Sequence, residues 1–134
     1  MRHLVAWTLL LLLAATAVGC DASTANIQSA DLAHDFKDGK AVNPATTFGP
    51  NDTIHCVVQL ANAPDDTKVK AVWTAVDAAN GQVKDQKIDE TELATGSAPL
   101  NFSLAPSKPF PVGKYKVDLY LNGALNKTLT FDVQ

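Results

Sequence analysis

Strict alternation of apolar and polar residues leaves a chain one way to bury the apolar set, as a strand with one face against a core. Residues 114–121, KYKVDLYL, alternate in this way. Tyr115, Val117, Leu119 and Leu121 form the inward set, and Lys116, Asp118 and Tyr120 the outward set. Asn122-Gly123 follows. Both residue types tolerate the positive φ of a type I′ hairpin turn, so the chain is expected to return at once. The returning strand, residues 125–133, points Leu125, Leu129, Phe131 and Val133 inward, with Lys127 interrupting the pattern.

The same period runs upstream, and a helical period is hard to find. Residues 29–36 read as a first, edge-like strand, and Asp38-Gly39 as a turn. The stretch AVNPATTFGPND, broken by Pro44 and Pro50, reads as a loop. Residues 53–60 place Ile54, Cys56, Val58 and Leu60 on one face. Residues 68–77 place Val69, Ala71, Trp73 and Ala75 on one face and Val72, Thr74 and Val76 on the other. Asn80-Gly81 signals a hairpin into a polar edge strand over residues 82–93, and Leu100, Phe102 and Leu104 turn inward over 99–105. The proline-rich PSKPFPVG, which cannot lie inside a sheet, makes a corner. About seven short strands with two Asn-Gly hairpins imply an all-β, immunoglobulin-like antiparallel sandwich. Trp73 then fills the core, Tyr115 suits a tyrosine corner, and Cys56 is a small core residue whose opposite strand offers only valine and leucine.

The amino-terminal part follows different rules. Residues 4–18 are apolar apart from Thr8 and Thr16, follow Arg2 and His3, and fall short of the ~20 residues a helix needs to span a bilayer. The run ends in Ala17-Val18-Gly19-Cys20, which resembles the lipobox of bacterial lipoproteins. That resemblance implies cleavage before Cys20 and acylation of its thiol, with several acyl chains giving a firm anchor. The expected organisation is a signal peptide over residues 1–19, a lipidated tether over 20–28 and a sandwich domain over 29–134. Asp21 leans the expected location toward the inner membrane, facing the periplasm.

Loss of residues 1–19 leaves 115 of 134 residues, enough for one domain with a modest core. Arg2 is the one basic residue removed, so ten remain against 14 acids, a formal charge of −4. That balance, with lysines scattered among acids, argues against nucleic acid as a partner. With Cys20 acylated, Cys56 has no partner for a disulfide.

The segments TFGPNDTIHCVVQL, KAVWTAVD and PVGKYKVDLYLNGALNKTLTFDV resemble a domain of uncharacterised bacterial envelope lipoproteins, over residues 46–134. The resemblance implies an envelope location and brings no catalytic residues.

Candidate chemistry is sparse. His34 and Asp35, with Asp38 nearby, suggest a metal pair, but adjacent strand positions face opposite ways. Asp52 reads as a turn cap and His55 as an outward surface residue. Asp65-Asp66 and the trio Asp89, Glu90 and Glu92 lack the spaced loop of a calcium site. Gly96-Ser97 lacks the strained turn of a nucleophile. No enzyme, cofactor or metal is expected. The expectation is instead a protein-binding accessory or adaptor module, tethered to the membrane through Cys20, with an envelope protein as partner. A periplasmic carrier of a small ligand or metal ion is the alternative. The expected partner face gathers Val72, Thr74, Val76, Lys116, Asp118, Tyr120, Thr128 and Thr130, and Phe110 in the corner over 106–113 is a weaker candidate.

Overall fold

The computed structural model describes residues 24–134. The expected signal peptide, Cys20 and Asp21 lie outside the described residues. Every regular element described is a strand. In chain order these are β1 (Asn26–Lys37), β2 (Lys40–Pro44), β3 (Thr47–Phe48), β4 (Ile54–Ala61), β5 (Thr67–Ala78), β6 (Val83–Thr95), β7 (Leu100–Leu104), β8 (Gly113–Leu121) and β9 (Ala124–Val133). They form two sheets, ordered β2-β1-β4-β7 and β3-β9-β8-β5-β6. The expected sandwich of all-β, immunoglobulin-like type is therefore the observed fold, with nine strands where about seven were expected.

The two extra strands, β2 and β3, lie in the stretch expected to be a loop. Both are short, and Pro44 and Pro50 mask their period in the sequence. β3 pairs parallel to the end of β9, so its sheet is mixed. β1 is not an edge strand, because β2 closes its outer side through Asp38-Gly39, a two-residue turn with φ of 51° and 75°. β1 also begins three residues inside the stretch expected as tether, with Asn26 opposite Ala61 and Ile27 opposite Leu60. Asn122-Gly123 makes the expected two-residue turn, with φ of 49° and 86°. The β5–β6 hairpin instead uses four residues, 79–82, three of them left-handed. β6 is the polar edge strand that was expected.

The core lies between the sheets and contains the inward sets of β4, β5, β7 and β8. Trp73 is 1 % exposed. Phe131 touches three rings, stacking on Tyr115 at 5.4 Å and meeting Phe48 and Trp73 edge-on at 5.8 Å and 6.0 Å. The Tyr115 hydroxyl donates to the Pro111 carbonyl at 2.5 Å, which makes the tyrosine corner. Gly113 is required where β8 begins, because a Cβ there would overlap the Asp77 carbonyl oxygen and the Ala78 Cα.

Leu125 does not point inward. An irregularity at Leu119/Tyr120 in the β8–β9 register sets Leu125 opposite Tyr120, on the outer face, where it is 58 % exposed. One extra residue in a strand moves each following side chain to the other face. Part of the outer face of the other sheet is covered by the chain itself. The β1–β2 hairpin folds back over it, with Gly39 against Pro99 and its carbonyl accepting from Gln59 Nε2 at 2.9 Å. Val57 and Ala33, on that outer side, are 2 % and 0 % exposed.

Replacing Trp73 with alanine is expected to cost about 3–5 kcal/mol, the usual range for emptying a large aromatic site. Chemical denaturation measures it, and a loss under about 1 kcal/mol would refute this packing. Cys56 is fully buried, and burial, with a smaller contribution from the Asp31 charge, pushes its thiol up to about 12. The native thiol thus stays protonated while the unfolded one ionises from about pH 9. Stability should fall as pH rises above 9, by about 1.4 kcal/mol per unit, and Cys56→Ala should remove that slope between pH 9 and 10. Native Cys56 should also resist thiol reagents, and rapid labelling without unfolding would contradict its place in the core.

Candidate functional site

The expected partner face does assemble. β5, β8 and β9 are neighbours in one sheet, and the register sets Val72 opposite Asp118, Thr74 opposite Lys116, Asp118 opposite Thr128, and Lys116 opposite Thr130. Val76 is displaced by an irregularity between Ala75 and Asp77. It lines a hollow with Lys114, Thr130 and Asp132 at one end of the face. Tyr120 lies at the other end, half-buried, opposite Lys70.

Two members of the face are framework and not contact surface. Asp118 is 8 % exposed and Thr74 9 %. Asp118 accepts a hydrogen bond from Thr128 Oγ1 at 2.5 Å and lies 3.3 Å from Lys116 Nζ. A carboxylate this buried needs such partners, since an unpaired buried charge costs several kcal/mol. The pair fixes β8 to β9 and holds the Lys116 side chain across the face.

A second cluster joins the face and was not anticipated. Lys70 Nζ lies 4.6 Å over the Tyr120 ring and 3.3 Å from Glu90 Oε1, and Glu90 Oε2 accepts from Lys87 Nζ at 2.9 Å. The two ammonium groups, Lys87 first, hold the Glu90 carboxyl below the usual carboxylate range. Lys70 and Lys87 lie on different strands, and β6 carries its own irregularity against Trp73/Thr74, so this cluster depends on a register that alternation alone does not give. Leu125 completes the patch, set opposite Tyr120. The result is an aromatic ring pinned by a cation on one side and flanked by an exposed aliphatic side chain on the other.

His34, Asp35, Asp52, His55 and Ser97 have structural partners. His34 packs on Phe48 at 4.8 Å and lies 3.8 Å from Asp52, while the Asp35 carboxylate accepts from the Phe36 amide. Asp52 also accepts from the Gly49 amide at 2.6 Å, which is the turn cap expected of it. His55 faces outward as expected and meets Asn101 at 3.1 Å. Ser97 Oγ accepts from the Ala63 amide, tying two loops together. Among the described residues, no three His, Cys, Asp or Glu side chains are grouped to hold a metal ion. Phe110 is half-buried against Tyr115 at 6.2 Å. With Pro111 and Ile88 it lines two adjoining hollows of about 390 and 300 Å³.

No protein-family model and no curated protein matches the chain. Solved structures do. An immunoglobulin-like protein of Pseudomonas aeruginosa, PA1606, is similar over 82 % of this chain and 96 % of its own, at 13 % identity and a TM-score of 0.58. The alkylpurine DNA glycosylase AlkC of Pseudomonas fluorescens aligns over 82 % of this chain and 30 % of its own, at 16 % identity and a TM-score of 0.49. A β-glucosidase of Listeria innocua aligns over 82 % of this chain and 16 % of its own, at 11 % identity and a TM-score of 0.49. The likeness to PA1606 is one of fold: the described residues form an immunoglobulin-like sandwich.

Proposed function

We propose that this chain is a bacterial envelope lipoprotein, held to the membrane by lipid on Cys20, that binds another envelope protein through the outer face of its five-stranded sheet. The observation that carries the binding face is the contrast between the two sheets. The β1–β2 hairpin covers part of the outer face of one, while the other leaves Tyr120 and Leu125 at its surface beside a pre-ordered set of charges. An aromatic side chain already held in place loses little entropy on binding, which suits it to anchor an interface. Asp118 and Lys116 hold each other, so a partner meets few loose side chains near the centre of the face.

The anchor rests on Ala17-Val18-Gly19-Cys20 and on the short polar segment before β1. The lipobox supports a location facing the periplasm, and Asp21 favours the inner membrane over the outer. Binding, and not catalysis, fits a face whose charged side chains Lys70, Lys87, Glu90, Lys116 and Asp118 are occupied with structural partners.

In-cell crosslinking of the full-length protein, read by mass spectrometry, tests both halves. Cys20→Ser should leave the membrane fraction, and a variant still acylated or membrane-bound through other means would remove the lipid anchor from this reading. Tyr120→Asp should cut capture of the dominant partner by at least about tenfold with the melting temperature little changed, the behaviour of an interface anchor. Undiminished capture by a folded Tyr120→Asp protein would move the interface elsewhere.

A further inference from the structure

β6 is the outermost strand of the five-stranded sheet, thirteen residues long and paired to β5 alone. An edge of that length offers a row of free backbone donors and acceptors to an added strand. Its side chains restrict which strand can come. Read from the register with β5, the outward residues are Lys84, Lys87, Glu90 and Glu92, opposite Asp77, Thr74, Val72 and Lys70. Cations fill the first half and anions the second. An antiparallel copy of the same strand sets Lys84 opposite Glu92 and Lys87 beside Glu90, and a two-fold axis makes each contact twice.

The apolar residues obey the same symmetry. Val83 and Leu93 stand at the two ends of the inward set, opposite Ala78 and Val69, and the inverted copy brings them together. Ile88 is the extra residue between Lys87 and Asp89 and falls on the axis, 39 % exposed. Leu93 is 36 % exposed, so two of the large exposed apolar side chains of the molecule lie on this one edge. A parallel copy would set lysine against lysine and acid against acid.

We infer that β6 is a homodimer edge: two copies pair antiparallel across a two-fold axis at Ile88, joining their five-stranded sheets into one of ten strands. The joined sheet carries two Tyr120 patches on one continuous outer face. The inference stands without the proposed partner or anchor.

The test uses the full chain purified in detergent, with mass followed by sedimentation over a range of protein and salt concentrations. A monomer–dimer equilibrium that weakens with salt is expected. The pair Lys84→Glu/Lys87→Glu and the pair Glu90→Lys/Glu92→Lys should each weaken self-association by about tenfold or more, and their equimolar mixture should recover the dimer. Melting curves show whether each variant folds. Ile88→Cys, in a Cys20→Ser background, gives a separate reading: mild oxidation should join two copies at the axis, with the buried Cys56 taking no part. Three results overturn the inference: a wild-type protein that stays monomeric throughout, a dimer indifferent to both charge reversals, or an Ile88→Cys protein that oxidation does not link.

Discussion

The fold is organised around the Phe131 ring. It stacks on Tyr115 and meets Trp73 and Phe48 edge-on, so β9, β8, β5 and the two-residue β3 converge on one side chain. Such ring pairs contribute about 0.5–1.5 kcal/mol each beyond the area they bury. Their larger effect is geometric. Phe48 is the inward residue of a strand too short to hold its place by backbone bonds, and contact with Phe131 seats it. Tyr115, stacked on the same ring, carries a hydroxyl to the Pro111 carbonyl and so fixes the corner that holds Phe110.

From that centre the two sheets diverge in their treatment of water. One folds its first hairpin over its own back, which brings Val57 and Ala33 out of solvent although they lie outside the sandwich core. The other answers with charge. Asp118, Lys116 and Thr128 form one cross-strand set, and Lys70, Glu90, Lys87 and Tyr120 another. A sheet face that is polar and internally satisfied stays soluble while keeping a defined shape, so one aromatic ring and one leucine can stand out from it without inviting general association.

Much of this was legible in the sequence because inward side chains obey a period of two. Trp73, Cys56, Tyr115 and the alternation of β8 are where that period puts them. The errors fall where the period breaks. Leu125 was expected inside and lies outside because the β8–β9 register slips at Leu119/Tyr120. β2 and β3 hide between prolines and are too short to show a period. β1 was expected at an edge because the turn at Asp38-Gly39 was read as leading into a proline-broken loop and not into a partner strand. In the face itself, the residues on β5, β8 and β9 followed from alternation, but the depth of Asp118 did not. Its burial depends on what Thr128 and Lys116 do across two strand boundaries, and the Lys70–Glu90–Lys87 set depends on the phase of β6.

The way β1 enters the sandwich has a mechanical consequence. The strand runs from Asn26 alongside β4, with seven register pairs between Asn26 and Ala33, and backbone bonds in such a ladder lie across the strand direction. A pull on the residues before Asn26 therefore acts along β1 and loads those bonds together, in shear, instead of peeling them one after another. A module held by its amino end while its opposite sheet is gripped is thus strained across a whole ladder at once.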